Sequence, residues 1–151
     1  MKAILLVSGG IDSPVAGRLL TEKGVELVGV HFGVESDKIR KLSEKIGLKK
    51  VYIVPHDLSG FENSEKRYTC LYCKRLMLRV AEKIAEKEGC KYIVTGENLG
   101  QVASQTLDNM FVEDKAVKIT ILRPLLTRDK EETVTMAKRF ETYDISIKEA
   151  H

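Results

Sequence analysis

The stretch Ser8-Gly9-Gly10-Ile11-Asp12-Ser13-Pro14 lies between a short apolar run at 3–7 and an amphipathic helical pattern. Paired glycines allow positive φ angles and let a ligand come close to the backbone, so that successive N–H groups can converge on an oxyanion. We expect Ser13 to cap the helix that follows and Pro14 to take its first position, where a missing N–H costs nothing. The stretch therefore predicts a strand, a phosphate-binding turn and a helix whose dipole favours an anion.

Length, hydropathy and charge indicate one globular domain. The 151 residues suit a single domain, 1–151, with a real core. No apolar run is long enough to span a membrane, and the N-terminal run is too short for a signal peptide, so we expect a cytoplasmic protein with no membrane partner. The formal net charge of +3 allows contact with nucleic acid but does not require it.

Strand and helix patterns alternate along the chain, which predicts an α/β fold with a doubly wound, five-stranded parallel sheet. Ligands of such sheets bind beyond the carboxyl ends of the strands. The glycine-rich loop, the pair His31-Phe32 and the segment Thr95-Gly96-Glu97 all fall at that edge. The predicted strands are 2–7, 25–32, 50–55, 91–95 and 118–122, and the predicted helices are 13–23, 36–46, 70–88, 100–109 and 129–140.

A polar stripe marks the predicted helix 100–109. Gln101, Gln105 and Asp108 recur there at helical spacing. A polar stripe usually faces water. Because this helix begins beside the ligand edge of the sheet, amides directed at phosphate or ribose are an equally good interpretation.

Three segments resemble the PP-loop domain of the ThiI-type tRNA 4-thiouridine synthetases, also called tRNA sulfurtransferases. They are SGGIDSP at 8–14, TGENLGQVASQTLDN at 95–109 and LRPLLTRDKEE at 122–132. The loop lacks the Lys-Ser or Lys-Thr pair of a Walker A motif and the third glycine of a dinucleotide fingerprint. It is similar to the SGGxDS loop of enzymes that split ATP between its α- and β-phosphates. The resemblance implies a HUP-type fold with strand order 3-2-1-4-5.

The resemblance also implies where ATP lies, with the departing pyrophosphate in the loop and adenine beside His31 and Phe32. For the reaction that the resemblance implies, we expect Lys74 or Arg75 to stabilise the α-phosphate and Asp12 to support Mg²⁺ directly or through water. The plain alternative for Asp12 is a helix-start residue that favours the dipole. The predicted ATP-binding residues are Leu6, Val7, Ser8, Gly9, Gly10, Asp12, Ser13, His31, Phe32, Lys74, Arg75, Gly96 and Gln105.

The implied reaction has two steps. The uracil O4 of the uridine at position eight of tRNA attacks the α-phosphate of ATP, and pyrophosphate leaves. A protein-bound sulfur then attacks C4 and expels AMP. The implied cofactors are ATP and Mg²⁺, and the implied partners are tRNA and a sulfur donor that supplies persulfide or sulfide.

Sulfur transfer needs a thiol, and the chain offers Cys70, Cys73 and Cys90. The first two form Cys-Leu-Tyr-Cys at the predicted start of the long helix, where the dipole and the following Lys74 and Arg75 favour thiolate. Some archaeal members of the family carry such a pair, so the resemblance makes one cysteine the catalytic persulfide carrier and the other the resolving thiol. Two unrelated buried cysteines are the plain alternative.

A metal centre on these cysteines is not favoured. Zinc needs four ligands, and His56 is the only candidate for the fourth. An iron–sulfur cluster on three cysteines is conceivable, because related thiolation enzymes use one. Cys90, however, precedes the fourth strand, and five residues at about 3.3 Å each place it roughly 17 Å from the carboxyl edge. We therefore expect Cys90 to be a structural core thiol.

The chain departs from the family pattern in its domains. ThiI-type proteins usually carry an N-terminal THUMP region that binds tRNA, and many carry a C-terminal rhodanese domain, whereas we expect neither in 1–151. We expect a separate THUMP-containing protein or subunit to supply tRNA binding, and the family suggests a homodimer. Two other functions stay open: a PP-loop ligase or amidotransferase acting on a small molecule, and a non-catalytic adenine-nucleotide-binding module.

Overall fold

A computed structural model describes residues 1–55, 66–99 and 105–148, and for 66–70 it describes the backbone alone. Within these ranges strand and helix alternate as the sequence predicts. The elements are β1 Lys2–Leu6, α1 Asp12–Thr21, β2 Glu26–Phe32, α2 Asp37–Ile46, β3 Lys50–Val54, α3 Lys66–Glu88, β4 Tyr92–Val94, α4 Leu107–Asp114, β5 Thr120–Leu122, α5 Lys130–Arg139 and α6 Tyr143–Ile147.

The strands of the described ranges form one five-stranded parallel sheet in the order β3-β2-β1-β4-β5. In the central strand β1, Leu5 pairs with Gly29 of β2 on one side and with Val94 of β4 on the other. The chain leaves β1 toward β2 and β3 and returns to β4, so the order reverses between β1 and β4. This reversal is the switch point at which α/β sheets bind ligands. The predicted fold class and strand order are confirmed.

Alternate residues of β1 point to opposite faces of the sheet. Ala3 and Leu5 join the buried cluster beneath α1, α2 and α5. Ile4 joins a second buried cluster beneath α3. Leu5 and Ile4 are both 0% exposed, and burying a side chain of this size stabilises the fold by about 1.5–3 kcal/mol. Because both faces are covered, the strands are continuous apolar runs in the sequence.

Two predicted helix boundaries are wrong. α3 begins at Lys66, four residues before its predicted start, since Lys66 to Cys70 continue the helix without an interrupting proline or glycine. The predicted helix 100–109 is wrong at Gln105 and Thr106, which are not helical, whereas residues 107–109 form the first turn of α4. The Thr106 hydroxyl instead caps α4 by accepting a hydrogen bond from the Asn109 amide at 3.1 Å.

The polar stripe predicted on that helix is therefore wrong for Gln105 and Asp108, which do not share a helix face. Gln101 lies outside the described residues. The sequence analysis also missed α6, whose five residues are too few to show a helical period.

Candidate functional site

The loop between β1 and α1 is braced by two serine hydroxyls. Ser13 Oγ accepts a hydrogen bond from the Ser8 amide at 2.8 Å and lies 3.2 Å from Ser8 Oγ. Ser8 Oγ accepts a hydrogen bond from the Gly10 amide at 3.3 Å. The expected cap is wrong, because Ile11 is the N-cap without a side-chain bond and Ser13, inside α1, turns back to the loop. The first amides of α1 are left for an anion.

Two further expectations for this loop are corrected by its backbone. Pro14 is the third residue of α1, a position whose N–H would also lack a partner within the helix. Gly9 and Gly10 are not among the glycines with positive φ. They matter because they lack side chains: a Cβ on Gly9 would lie 3.3 Å from Lys38 Cε. The loop thus presents bare main chain to a ligand.

His31 lies beside the loop on the face of the sheet covered by α1 and α2. Its Nδ1 is 2.9 Å from the Val7 carbonyl oxygen, and since a carbonyl can only accept, Nδ1 carries the proton. A cavity of about 410 Å³ opens between the loop and the start of α2. This volume lies within the range of small-molecule sites. The cavity is lined by Gly9, His31, Val34, Glu35, Ser36, Lys38 and Ile39.

Leu6 and Phe32 lie on the opposite face, packed against the cluster beneath α3. Strand alternation separates them from Val7 and His31, so the four predicted residues face both sides of the sheet edge. Leu6 also lines a smaller cavity of about 90 Å³. The other residues that line this cavity are Lys74, Met77, Leu78, Thr95, Glu97 and Glu113.

A network of buried charges borders the smaller cavity. Lys74 Nζ lies 3.3 Å from Glu97 and 3.5 Å from Glu113. Arg123 faces the same two carboxylates, at 3.2 Å from Glu97 and 3.5 Å from Glu113, and it also pairs with Asp114 at 2.7 Å. The Glu113 side chain is 1% exposed and that of Arg123 is 10% exposed. The network joins α3, α4 and the ends of β4 and β5 beside the switch point.

The two glutamates share two cations and have opposite pKa shifts. Burial, followed by the hydrogen bond and charge of Glu97, raises the pKa of Glu113 to about 7. For Glu97, burial would raise the pKa, but the hydrogen bond from Glu113 and the charges of Lys74 and Arg123 lower it below its usual value. Below about pH 7 the pair therefore holds a proton on Glu113, while the lowered pKa of Glu97 favours its charged form.

Asp12 opens α1 and faces a lysine of α5. The distance from Asp12 Oδ1 to Lys130 Nζ is 3.8 Å. The same Oδ1 is buried and accepts no hydrogen bond. A buried carboxylate oxygen without a donor is available to a cation. The arrangement places one negative and one positive group at the mouth of the loop.

The whole chain, residues 1–151, matches the family model described as thiamine biosynthesis protein (ThiI). The chain belongs to the ThiI family. The match spans residues 1–151, so it covers the whole chain and not only the three segments on which the resemblance was noted.

Individual relatives of this ThiI-family chain agree. A probable tRNA sulfurtransferase of Thermococcus kodakarensis is 41% identical over 160 residues, which is 96% of this chain and 42% of that protein. One of Thermoanaerobacter sp. (strain X514) is 37% identical over 161 residues, or 97% of this chain and 42% of that protein. The chain thus spans about two fifths of the length of these relatives.

Solved structures bear out the fold. A crystal structure of a 4-thiouridine synthetase–RNA complex with bound ATP is 38% identical, with a TM-score of 0.86, and the match covers 98% of this chain and 42% of that one. An NMN synthetase from Francisella tularensis is 16% identical with a TM-score of 0.67, which shows the shared fold alone. Within the described ranges, no helix of this ThiI-family chain is long and apolar enough to cross a bilayer.

Cys70 and Cys73 do not lie at the start of the long helix, where the sequence analysis placed them. Since α3 starts at Lys66, Cys70 and Cys73 are its fifth and eighth residues, so they do not lie in the first turn where the dipole acts most strongly. Cys73 is buried, and the side chain of Cys70 lies outside the described residues. Cys90 is a buried core thiol, as predicted, and burial raises its pKa. His56 also lies outside the described residues.

Three predicted residues remain, and one of them lies at this edge of the sheet. Gly96 follows β4 and packs against the first turn of α1. Arg75 Nε and Gln105 Oε1 are buried without a hydrogen-bond partner, so each keeps an unused polar atom.

Sequence reasoning missed Glu113, Arg123 and Lys130. Acidic and basic residues of a chain with 31% charged residues carry no signal of burial. The only clue for Arg123 and Lys130 was their place inside the segment LRPLLTRDKEE that marks the family.

Proposed function

We propose that this chain is the ATP-splitting module of a tRNA sulfurtransferase that adenylates a tRNA uridine, at position eight by family resemblance, and then inserts sulfur to form 4-thiouridine. The observation that carries the proposal is the uncapped start of α1 behind the serine-braced loop. The similarity to a 4-thiouridine synthetase named for its complex with RNA and ATP supports it. Main-chain N–H groups at the switch point can stabilise the negative charge that develops on pyrophosphate as it leaves.

ATP would lie across the carboxyl edge of the sheet. Its β- and γ-phosphates would occupy the loop, and its base would meet the ends of β1 and β2, where Leu6, Val7, His31 and Phe32 lie. Lys130 supplies positive charge at the loop mouth. Lys74 is held by two carboxylates, so its contact with the α-phosphate would require an exchange of partners. We also propose ATP contacts for Arg75, Gly96 and Gln105.

Mg²⁺ fits this site. The ion commonly binds one or two protein carboxylates together with substrate phosphates, and Asp12 Oδ1 is a buried acceptor without a donor. Asp12 would hold the ion, directly or through water. When bound, Mg²⁺ would neutralise charge on the phosphates.

An iron–sulfur cluster on the three cysteines does not fit. Glu88 lies fifteen positions after Cys73 on α3, a rise of roughly 22 Å, and Cys90 follows beyond that end of the helix. No group of three or more His, Cys, Asp or Glu side chains in the described ranges could hold a metal. We derive no step through a cluster.

Cys70 and Cys73 would carry the sulfur. One thiolate attacks the outer sulfur of a donor persulfide; the donor's S–S bond breaks, the donor leaves as a thiolate, and the cysteine becomes a persulfide. The terminal sulfur of that persulfide attacks C4 of the adenylated uridine, the C4–O bond breaks, and AMP leaves with the electron pair of that bond. The second thiolate then attacks the carrier cysteine's own sulfur. The S–S bond breaks, 4-thiouridine departs, and the two cysteines form a disulfide that a dithiol reductant restores.

The proposal includes partners that this module would need. A THUMP-type protein or subunit would present the tRNA, and a second copy of the chain would complete a homodimer. The chain covers 42% of the length of the relatives described above. We therefore propose the complete reaction for the module together with these partners and not for the module alone.

The test is a reaction with unmodified tRNA, ATP, Mg²⁺, a persulfide donor and a THUMP-type protein added in trans. We expect AMP and pyrophosphate to form only with tRNA, and mass analysis of nucleosides to find 4-thiouridine. Cys70→Ala and Cys73→Ala should keep AMP release and lose thiolation, whereas the matched control Cys90→Ala should keep both.

Two outcomes would overturn the proposal. AMP release without tRNA and without need of either cysteine would indicate a small-molecule ligase or amidotransferase. ATP binding without any pyrophosphate release would indicate a non-catalytic nucleotide-binding module.

A further inference from the structure

A hydroxyl of α6 reaches the phosphate loop from far along the chain. Ser146 Oγ donates a hydrogen bond to the Gly10 carbonyl oxygen at 3.0 Å, across 136 residues. Ser146 is only 7% exposed. The bond therefore links the last described helix to the middle of the loop and is shielded from competing water.

The hydrogen bond fixes the direction of an amide as well as a carbonyl. In a trans peptide the C=O of one residue and the N–H of the next point in opposite directions, and the described chain has no cis peptide bond. Holding the Gly10 carbonyl toward α6 thus turns the Ile11 N–H away from α6. That N–H donates to no acceptor among the described residues, and Ile11 is the N-cap of α1.

Ser146 is itself held in place by packing on both sides. Tyr143 and Ile145 pack against the core cluster beneath α1 and α2, and Thr142 is 0% exposed. At the end of α6, Lys38 Nζ of α2 donates to the Lys148 carbonyl oxygen at 2.7 Å. Because α6 is anchored at its start and its end, the Ser146 hydroxyl is a fixed point rather than a mobile surface group.

We infer that Ser146 is a positioning residue for the phosphate loop: through the Gly10 carbonyl it aims the Ile11 N–H at the β- and γ-phosphates of the nucleotide. The inference rests on the proposed function, in which those phosphates occupy the loop. Ser146 touches no phosphate itself. Without its hydroxyl the Gly10–Ile11 peptide can rotate, and one donor of the cradle loses its direction.

The test compares Ser146→Ala with a matched control, Ser43→Ala. Ser43 Oγ also donates to a backbone carbonyl, that of Ile39 at 2.7 Å, but within α2 and away from the loop. Calorimetric titrations with ATP, inorganic pyrophosphate and AMP separate the two ends of the nucleotide. We expect Ser146→Ala to bind ATP and pyrophosphate about three- to tenfold more weakly and AMP as the unmodified chain does.

Two more measurements separate a local loss of the hydrogen bond from a general loss of folding. Ser146→Thr keeps the hydroxyl, so it should restore pyrophosphate binding to within about twofold. Amide hydrogen exchange of Ile11 should accelerate in Ser146→Ala and not in Ser43→Ala.

The outcomes distinguish this inference from the proposed function. If the unmodified chain and Ser146→Ala bind pyrophosphate equally well, or if binding of AMP weakens as much as that of pyrophosphate, the positioning role is wrong while the proposed function stands. If the unmodified chain binds neither ATP nor pyrophosphate, both fall together.

Discussion

Gly96, just after β4, packs so closely on Ser13 that a Cβ at this glycine would lie 2.7 Å from the Ser13 amide nitrogen and 2.8 Å from its Cα. The clash would be with backbone, which cannot move aside as a flexible side chain can. Ser13 also braces the phosphate loop, residues 8–11 between β1 and α1. The absence of a side chain at residue 96 therefore lets the end of β4 pack closely against this loop.

Gly96→Ala should therefore shift the start of α1 and the loop together. We expect a loss of about 1–3 kcal/mol in the free energy of unfolding, measured by urea titration, and at least tenfold weaker ATP binding. Gly24→Ala is the control, since Gly24 has a φ of 87° and no atom near its Cβ position. It should lose about 1 kcal/mol to backbone strain with unchanged ATP affinity. Normal ATP binding by Gly96→Ala would contradict this relationship.

The pattern of the residues was enough to predict the parallel sheet and the place of the loop, whereas the strand order came from the resemblance to the ThiI-type family. The apolar runs, Gly47 at the end of α2 and Asp129 at the cap of α5 are local signals, and the structure uses them as such. The role of Gly96 was not readable, because it depends on a backbone contact with a residue 83 positions earlier. Ser13 was misread for a similar reason: its hydroxyl serves a tertiary brace instead of the local cap that its position suggested.

Arg123 is expected to be the main support of the buried charge network. It pairs with Glu97, Glu113 and Asp114, and removing one partner of a buried pair leaves uncompensated charge. Arg123→Met should lower the free energy of unfolding by about 3 kcal/mol at pH 8. Arg79→Met, at an exposed position of α3, should change it by less than about 0.5 kcal/mol.

A double variant checks the cause of that loss. Adding Glu113→Gln to Arg123→Met removes a carboxylate that has lost one of its two cationic partners, so the double variant should recover part of the lost stability. Simple additivity of the two changes would show that the network is not coupled.

Asp12 should matter for chemistry and little for folding. Its pair with Lys130 is 3.8 Å long, and the two side chains are 28% and 56% exposed, a setting in which an ion pair contributes about 0–1 kcal/mol. Asp12→Asn should keep its melting temperature and lower pyrophosphate release at least tenfold, because Mg²⁺ loses a carboxylate. Asp37→Asn, which removes a carboxylate from a surface pair on α2, should behave as the unmodified chain does. Equal loss in both variants would argue against a special role for Asp12.

The charge network shows where sequence reasoning stops. Glu97 was placed correctly at the end of β4, because it closely follows the predicted strand 91–95. Glu113 lies on α4, whose start at Leu107 the sequence analysis did not predict. An isolated glutamate has the same appearance in a sequence whether it is 1% exposed or fully solvated. Glu113 is buried together with Lys74 and Arg123, which belong to other parts of the fold. No periodic pattern in the sequence shows that these residues meet.

Stability should fall with rising pH because of Glu113. Its pKa is about 7 in the folded chain and near 4.3 in an unfolded one. Between these values the folded state binds more protons, so the free energy of unfolding decreases as pH rises from about 4.5 to 7. Glu97 has the opposite shift, and its contribution is lost only as pH falls below about 4.5.

Glu113→Gln isolates this effect. Between pH 5 and pH 8 the unmodified chain should lose on the order of 2 kcal/mol that the variant keeps, so the variant's advantage should grow with pH in urea titrations. Glu86→Gln, at an exposed position of α3, should follow the profile of the unmodified chain. Lys74 and Arg123 face Glu113 in the folded chain. A pH profile for Glu113→Gln parallel to that of the unmodified chain would mean that Glu113 is already ionised at pH 5.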